Sequence, residues 1–183
     1  EGVLAVGVTS GEVEPLIHAT EQFNVIATYA DGSTQDVTDE AEWTSSDASI
    51  ISRIRQVPAL FQARSEGTAT ITAAFAGYED TSEVDVIDSF VGTISIEPQG
   101  QVVNVGDYTQ YSAFALDSTG ERFDITESDA TTFTADRVYL AITNAPGQKG
   151  LSQAKRFGST EVRATFQYGE STVFIETLII INP

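Results

Sequence analysis

The chain repeats itself, and that repetition limits what it can fold into. FNVIATYADGSTQDVT, from Phe23 to Thr38, aligns without gaps to YSAFALDSTGERFDIT, from Tyr111 to Thr126, at an offset of 88 residues. LFQARSEGTATITAAF, from Leu60 to Phe75, aligns to LSQAKRFGSTEVRATF, from Leu151 to Phe166, at an offset of 91. Such self-similarity marks a duplicated unit that folds as a module. The 183 residues therefore divide into two domains, residues 1–89 and 90–183. The boundary falls in VIDSFVGTI, from Val86 to Ile94, which has no proline and one glycine. The last strand of the first unit is expected to run almost directly into the first strand of the second, giving a semi-rigid link.

Each unit reads as all β. In TATITAAF, Ala69, Ile71, Ala73 and Phe75 share one face and threonines take the other. That period of two is the signature of a strand buried on one side. EVRATF repeats it through Val162, Ala164 and Phe166, and Phe23, Val25, Ala27 and Tyr29 share a face as well. DGS, SEG, STG and APG punctuate the runs as turns. No stretch carries a sustained helical period. Short strands at this spacing predict two tandem immunoglobulin-like β-sandwiches with Greek-key connections, of about seven strands each.

Charge narrows the partners. Asp and Glu number 27 against nine Lys and Arg, a net charge of −18. Such a surface repels phosphate backbones and anionic lipid, so neither nucleic acid nor membrane insertion is expected. There is no apolar run of the length that spans a bilayer. With no cysteine there is no disulfide and no thiolate metal site. With no methionine either, the chain reads as a processed product or a piece of a longer multidomain protein.

Several motifs together carry a resemblance. They are the hairpin Asp31-Gly32-Ser33, the triplet Asp36-Val37-Thr38, the run Trp43 to Asp47 (WTSSD) and the strand Gly67 to Ala73 (GTATITA). This succession resembles the bacterial immunoglobulin-like group 2 domain family. LAVGVTS and ISIEPQG are similar to that family's first strand. The second unit departs further, with Phe133 where Trp43 would stand and Thr119-Gly120 in place of Asp31-Gly32. The resemblance implies an immunoglobulin-like fold and no catalytic residues. It also implies an extracellular or bacterial cell-surface setting, in adhesion or as a stalk or spacer. Its partner would be a protein or glycan on a cell surface. The alternatives are a carbohydrate-binding accessory module of a secreted enzyme and a phage tail or capsid decoration domain.

Some residues invite a sharper reading. Asp31 to Glu42 spans twelve residues and offers Asp31, Ser33, Gln35, Asp39 and Glu42 at the ligand spacing of an EF-hand. Position six, where that loop needs glycine, is Asp36, and the flanks alternate like strands. A tight hairpin is the expectation there. Asp85, Asp88 and Glu97 flank the linker, with Glu79 and Asp80 nearby in sequence. The first three are the candidate ligands for an interdomain calcium ion; a solvated acidic surface is the simpler reading. Otherwise no cofactor is expected. Trp43, the single tryptophan, is expected in the core rather than stacked on a sugar. Tyr78, Tyr139 and Tyr168 are candidate contact residues. His18 is the single histidine and has no nucleophile elbow to serve, so no enzyme is expected. Lys149, Lys155 and Arg156 form a basic cluster, read as a solvated loop or as a surface pairing with a neighbour's acidic first unit.

Overall fold

The structure is a computed structural model that describes residues 2–10, 14–117 and 119–183. The chain divides into two compact units, Glu1–Asp88 and Ser89–Pro183. All regular structure among the described residues is β-strand.

The first unit holds eight strands: β1 (Val3–Ser10), β2 (Thr20–Tyr29), β3 (Thr34–Asp36), β4 (Glu42–Ser45), β5 (Ile51–Arg53), β6 (Leu60–Ala63), β7 (Gly67–Phe75) and β8 (Tyr78–Val86). One sheet has the order β1-β2-β6-β5, with β3 paired to the far half of β2, and the other has β4-β7-β8. This is the ABED and CFG arrangement of an immunoglobulin sandwich. The alternation in β7 does the work expected of it: Ala69, Ile71 and Ala73 are buried. They meet Phe23, Val25 and Ala27 of β2 and Phe61 of β6 from the opposite sheet. Phe23, Trp43 and Phe61 form an aromatic knot. The rings of Phe23 and Phe61 meet edge to face at 5.3 Å, and Trp43 lies 6.1 Å from Phe23. Such pairs add about 0.5–1.5 kcal/mol each beyond the area they bury.

The second unit holds β9 (Phe90–Glu97), β10 (Gln101–Asn104), β11 (Tyr108–Gln110), β12 (Ser112–Asp117), β13 (Arg122–Asp124), β14 (Thr131–Ala135), β15 (Leu140–Ile142), β16 (Leu151–Ala154), β17 (Gly158–Tyr168) and β18 (Ser171–Asn182). The strand equivalent to β2 is interrupted at Tyr111, giving β11 and β12. On its two halves hang β9 and β13, and β16 with β15. The other sheet has the order β10-β18-β17-β14. Here β10 runs parallel to β18, so the opening strand crosses from one sheet to the other after β9. The first unit marks the same crossing with a single parallel bridge, Leu16 to Ile87.

The duplication is visible bond by bond. Gln22 and Leu60 pair across β2 and β6, and so do Gln110 and Leu151 across β11 and β16, at the offsets of 88 and 91 read in the sequence. The Val25 amide donates to the Thr38 hydroxyl at 3.0 Å, and the Ala113 amide to that of Thr126 at 2.9 Å. Asp36 accepts from the Thr38 amide as Asp124 does from Thr126, at 2.9 and 2.7 Å. Phe23 donates its amide to Ala59, and Tyr111 to Gly150, both at 3.0 Å. Ala59 and Gly150 both hold positive φ. At Gly150 a Cβ would collide with the Tyr111 carbonyl oxygen, so glycine is required there.

The cores differ where the alignment differs. Tyr111 replaces Phe23, Phe133 replaces Trp43, and Ser152 replaces Phe61. Ser152 is satisfied, donating to the Thr109 carbonyl at 2.9 Å. The Tyr111 hydroxyl is buried with no hydrogen-bond partner, and burial pushes its pKa up to about 12. An unsatisfied buried hydroxyl costs about 1–3 kcal/mol. Tyr111→Phe, which copies Phe23, is therefore expected to stabilise the second unit by about 1 kcal/mol at neutral pH. The sign of the pH effect follows from linkage. A folded pKa above the unfolded one keeps its stabilisation below pH 10 and loses it as pH rises towards about 12. Denaturant unfolding across that range checks both effects. A variant no more stable than the parent, with the same alkaline loss, contradicts them.

Candidate functional site

The acidic stretch Asp31–Glu42 is a hairpin followed by a bend. Gly32 takes φ +83° between β2 and β3. Asp31 turns its carboxylate back on the loop, accepting from the Ser33 amide at 2.9 Å and the Ser33 hydroxyl at 2.6 Å. Asp36 is held below the ordinary carboxylate range by hydrogen bonds from the Thr38 hydroxyl and amide. Val37 points into the core and is 1% exposed. The carboxylate at the first EF-hand position, Asp31, and that of Asp36, where the loop would need glycine, are thus occupied within their own turns. This is the ordinary chemistry of turn-forming Asp.

The second unit builds the same turn from a different residue. Asp117 lies at the end of β12, where Tyr29 stands in the first unit. Its carboxylate accepts from the Thr119 hydroxyl at 2.7 Å and from the amides of Thr119 and Glu121 at 2.8 and 2.9 Å. These bonds, the Thr119 hydroxyl foremost, hold its pKa below the usual value. The alignment hid this exchange, because the carboxylate moved two residues along the chain while the turn stayed in place.

The three calcium candidates are placed as follows. Asp85, on β8, accepts from the Thr68 hydroxyl of β7. Asp88 ends the first unit. Glu97, on β9, pairs with Arg122 of β13 at 2.9 Å. Asp80 accepts from the Val8 amide at 2.8 Å. Among the described residues, no three His, Asp or Glu side chains group closely enough to hold a metal ion.

Trp43 is in the core, 6% exposed, and its indole N–H donates to the Thr38 carbonyl at 3.0 Å. Tyr78 is exposed; Tyr139 and Tyr168 are half-buried. The Tyr168 ring packs on Phe90 at 4.7 Å, and Tyr139 covers Gly158.

The basic cluster needs a correction. Lys155 and Arg156 are exposed, but Lys149 is buried at 8% exposure. Its ammonium donates to the carbonyls of Ser128 and Thr131. Burial pushes the Lys149 pKa down, against the opposing pull of Glu127 and Asp129. Glu127 answers from the other side, accepting from the amides of Gly147 and Lys149 at 2.8 and 2.9 Å. The two side chains clip the turn before β14 to the turn before β16. Lys149 aligns with Pro58 of the first unit, and that replacement in an otherwise repeated segment was the available signal. Asn144 was likewise silent in the sequence. Its amide accepts from the Phe133 amide at 2.7 Å and donates to the Phe133 carbonyl at 2.8 Å, substituting for a strand partner of β14.

No family model matches the chain. Ice-binding protein 1 of Shewanella frigidimarina (strain NCIMB 400) is 29% identical to it over 153 residues, 84% of this chain. The chain spans 16% of the length of that relative. Among solved structures, domains 5–6 of the S-layer protein SbsC superpose with a TM-score of 0.44 and 16% identity, covering 99% of each chain. The Yersinia pseudotuberculosis adhesin InvE superposes with a TM-score of 0.38 and 14% identity, covering all of this chain and 60% of that one.

The placement of Trp43 has a direct optical consequence. As the single tryptophan, it should emit as a buried indole, and that emission should stay put when saccharides are added. Trp43→Ala should cost about 3–5 kcal/mol, while Trp43→Phe, which copies Phe133, should cost far less. A red-shifted emission that moves with sugar would contradict the core placement.

Proposed function

We propose that the chain is a non-catalytic structural module of an extracellular bacterial protein, secreted or displayed at the cell surface. Its two sandwiches serve as a stalk or spacer for a binding domain carried elsewhere in the parent protein. The observation that carries this reading is the repeated bracing. Both units commit Asp, Thr and Gln side chains at matching positions to backbone amides and carbonyls, which braces the turns.

A second reading, direct adhesion to a surface protein or glycan, is favoured by one surface. On the outer side of the β10-β18-β17-β14 sheet, Val102, Phe174, Leu178 and Ile180 are each at least 43% exposed. The guanidinium of Arg163 lies 4.5 Å over the Phe174 ring and pairs with Glu176. The equivalent outer face of the first unit carries Glu79, Thr81, Glu83 and Asp85.

One screen separates the readings. The purified chain is applied to glycan and matrix-protein arrays, in calcium and in chelator, and to an ice-recrystallisation assay. The stalk reading expects no specific retention and no effect on ice. A specific array hit overturns it in favour of adhesion. Loss of that hit in chelator would show that the contact needs a divalent cation. Ice activity would move the relative's named property onto this chain.

A further inference from the structure

The exposed bases of the second unit gather at one end of it. Arg122 is paired with Glu97, Arg163 with Glu176, and Lys149 is buried. Arg137, Lys155 and Arg156 remain, all exposed and all on two adjacent turns. The turn from Asp136 to Tyr139 joins β14 to β15, and the turn from Lys155 to Phe157 joins β16 to β17. The Lys155 amide donates to the Tyr139 carbonyl at 2.8 Å, which holds the two turns together. A third turn adjoins them through the Gly106 amide, which donates to Ala154 at 2.8 Å. Apolar side chains stand among these bases: Phe157 is 60% exposed, Val138 54% and Val105 44%. The carboxylates nearby are engaged locally, Asp136 accepting from the Val138 amide and Asp107 from the Asn104 amide. Gly158 pairs with Ile181, so this is also the end at which β18 finishes.

The first unit offers the complement at its opposite end. There β2 turns into β3, β3 leads to β4, and β7 turns into β8. Asp31, Asp39, Glu40, Glu42 and Glu79 are all exposed on these connections or beside them. Residues 1–90 carry 16 acids and three bases.

We infer that the basic, aromatic end of the second unit docks the acidic hairpin end of the first unit of another copy of this chain, head to tail. The chemistry is charge complementarity around an apolar anchor. Phe157 and Val138 bury area while Arg137, Lys155 and Arg156 meet carboxylates. A head-to-tail contact is heterologous, so it passes from copy to copy, as an open chain or a closed ring. A net charge of −18 opposes self-association in general, so this contact depends on opposite charges meeting locally. The contact rests on a few turn residues and on exposed charges, so a weak, salt-sensitive association is expected. The inference stands apart from the stalk reading, since a spacer can work without self-association.

Sedimentation of the purified chain, over a concentration series at about 0.02 and 0.5 M salt, tests it. The expected result is a mass that grows with concentration at low salt, with association at least about tenfold weaker at high salt. Arg156→Glu with Lys155→Glu should abolish growth. So should Asp39→Lys with Glu40→Lys, and a mixture of the two variants should recover it, because the reversed ends fit each other. Phe157→Ser should weaken it with charges intact. Unchanged thermal unfolding of each variant removes misfolding as the cause. A parent chain that stays monomeric at low salt overturns the inference, as does growth that survives either reversal, or a mixture that fails to recover.

Discussion

The hydrogen bond from the Val25 amide to the Thr38 hydroxyl, and its twin from Ala113 to Thr126, is the contact on which each sandwich depends. The problem it solves is local. In the first unit, β2 pairs with β6 over its first residues and with β3 over its last, so its middle has a backbone amide facing a place where no strand continues. The Asp-Val-Thr triplet closes that gap with three consecutive side chains. Asp36 caps the Thr38 amide, Val37 enters the core, and Thr38 returns its hydroxyl to the open amide. A buried amide without a partner would cost about 1–3 kcal/mol, and each unit has one such place. With this closure made, β2 can serve two partners on one edge and present an unbroken apolar face to the opposite sheet.

The parts of this account that were legible in the sequence are those with a short period or a fixed stereochemical need. The alternation of TATITAAF placed Ala69, Ile71 and Ala73 inside, and the offsets of 88 and 91 reappear in the strand registers. Gly32 stands where the hairpin requires positive φ. Trp43 was expected in the core because it follows the Asp-Val-Thr bend, and its indole N–H does bond back to that bend. What could not be read were contacts decided by distant packing. Lys149 looks like a solvated base in its own neighbourhood, and only the carbonyls of Ser128 and Thr131, about twenty residues away, make its burial tolerable. Asp117 was passed over because the turn it braces is defined by geometry, while the alignment tracks position.

The two units reach the same fold with different fillings. Contacts through the backbone are preserved, whereas core side chains have been exchanged for others that keep the sheets together by different means. An aromatic knot of Phe23, Trp43 and Phe61 in one unit stands against Tyr111, Phe133 and Ser152 in the other, with a clip added at the edge in which Glu127 and Lys149 bond backbone groups of facing turns. The outer surfaces have drifted furthest. The outer face of β8 is acidic, and that of β18 is largely apolar. The backbone scaffold is thus common to the two units while the outer surfaces differ in charge and polarity.

The account holds that the acidic Asp31–Glu42 stretch and its counterpart are bracing elements of the fold. Hydrogen exchange of the amides of Val25, Thr38, Ala113 and Thr126, with and without calcium, tests that most directly. The account predicts that each exchanges only on unfolding of its own unit, with protection unchanged by calcium. Fast exchange at these amides, or protection across Asp31–Glu42 that appears only when calcium is added, would contradict it.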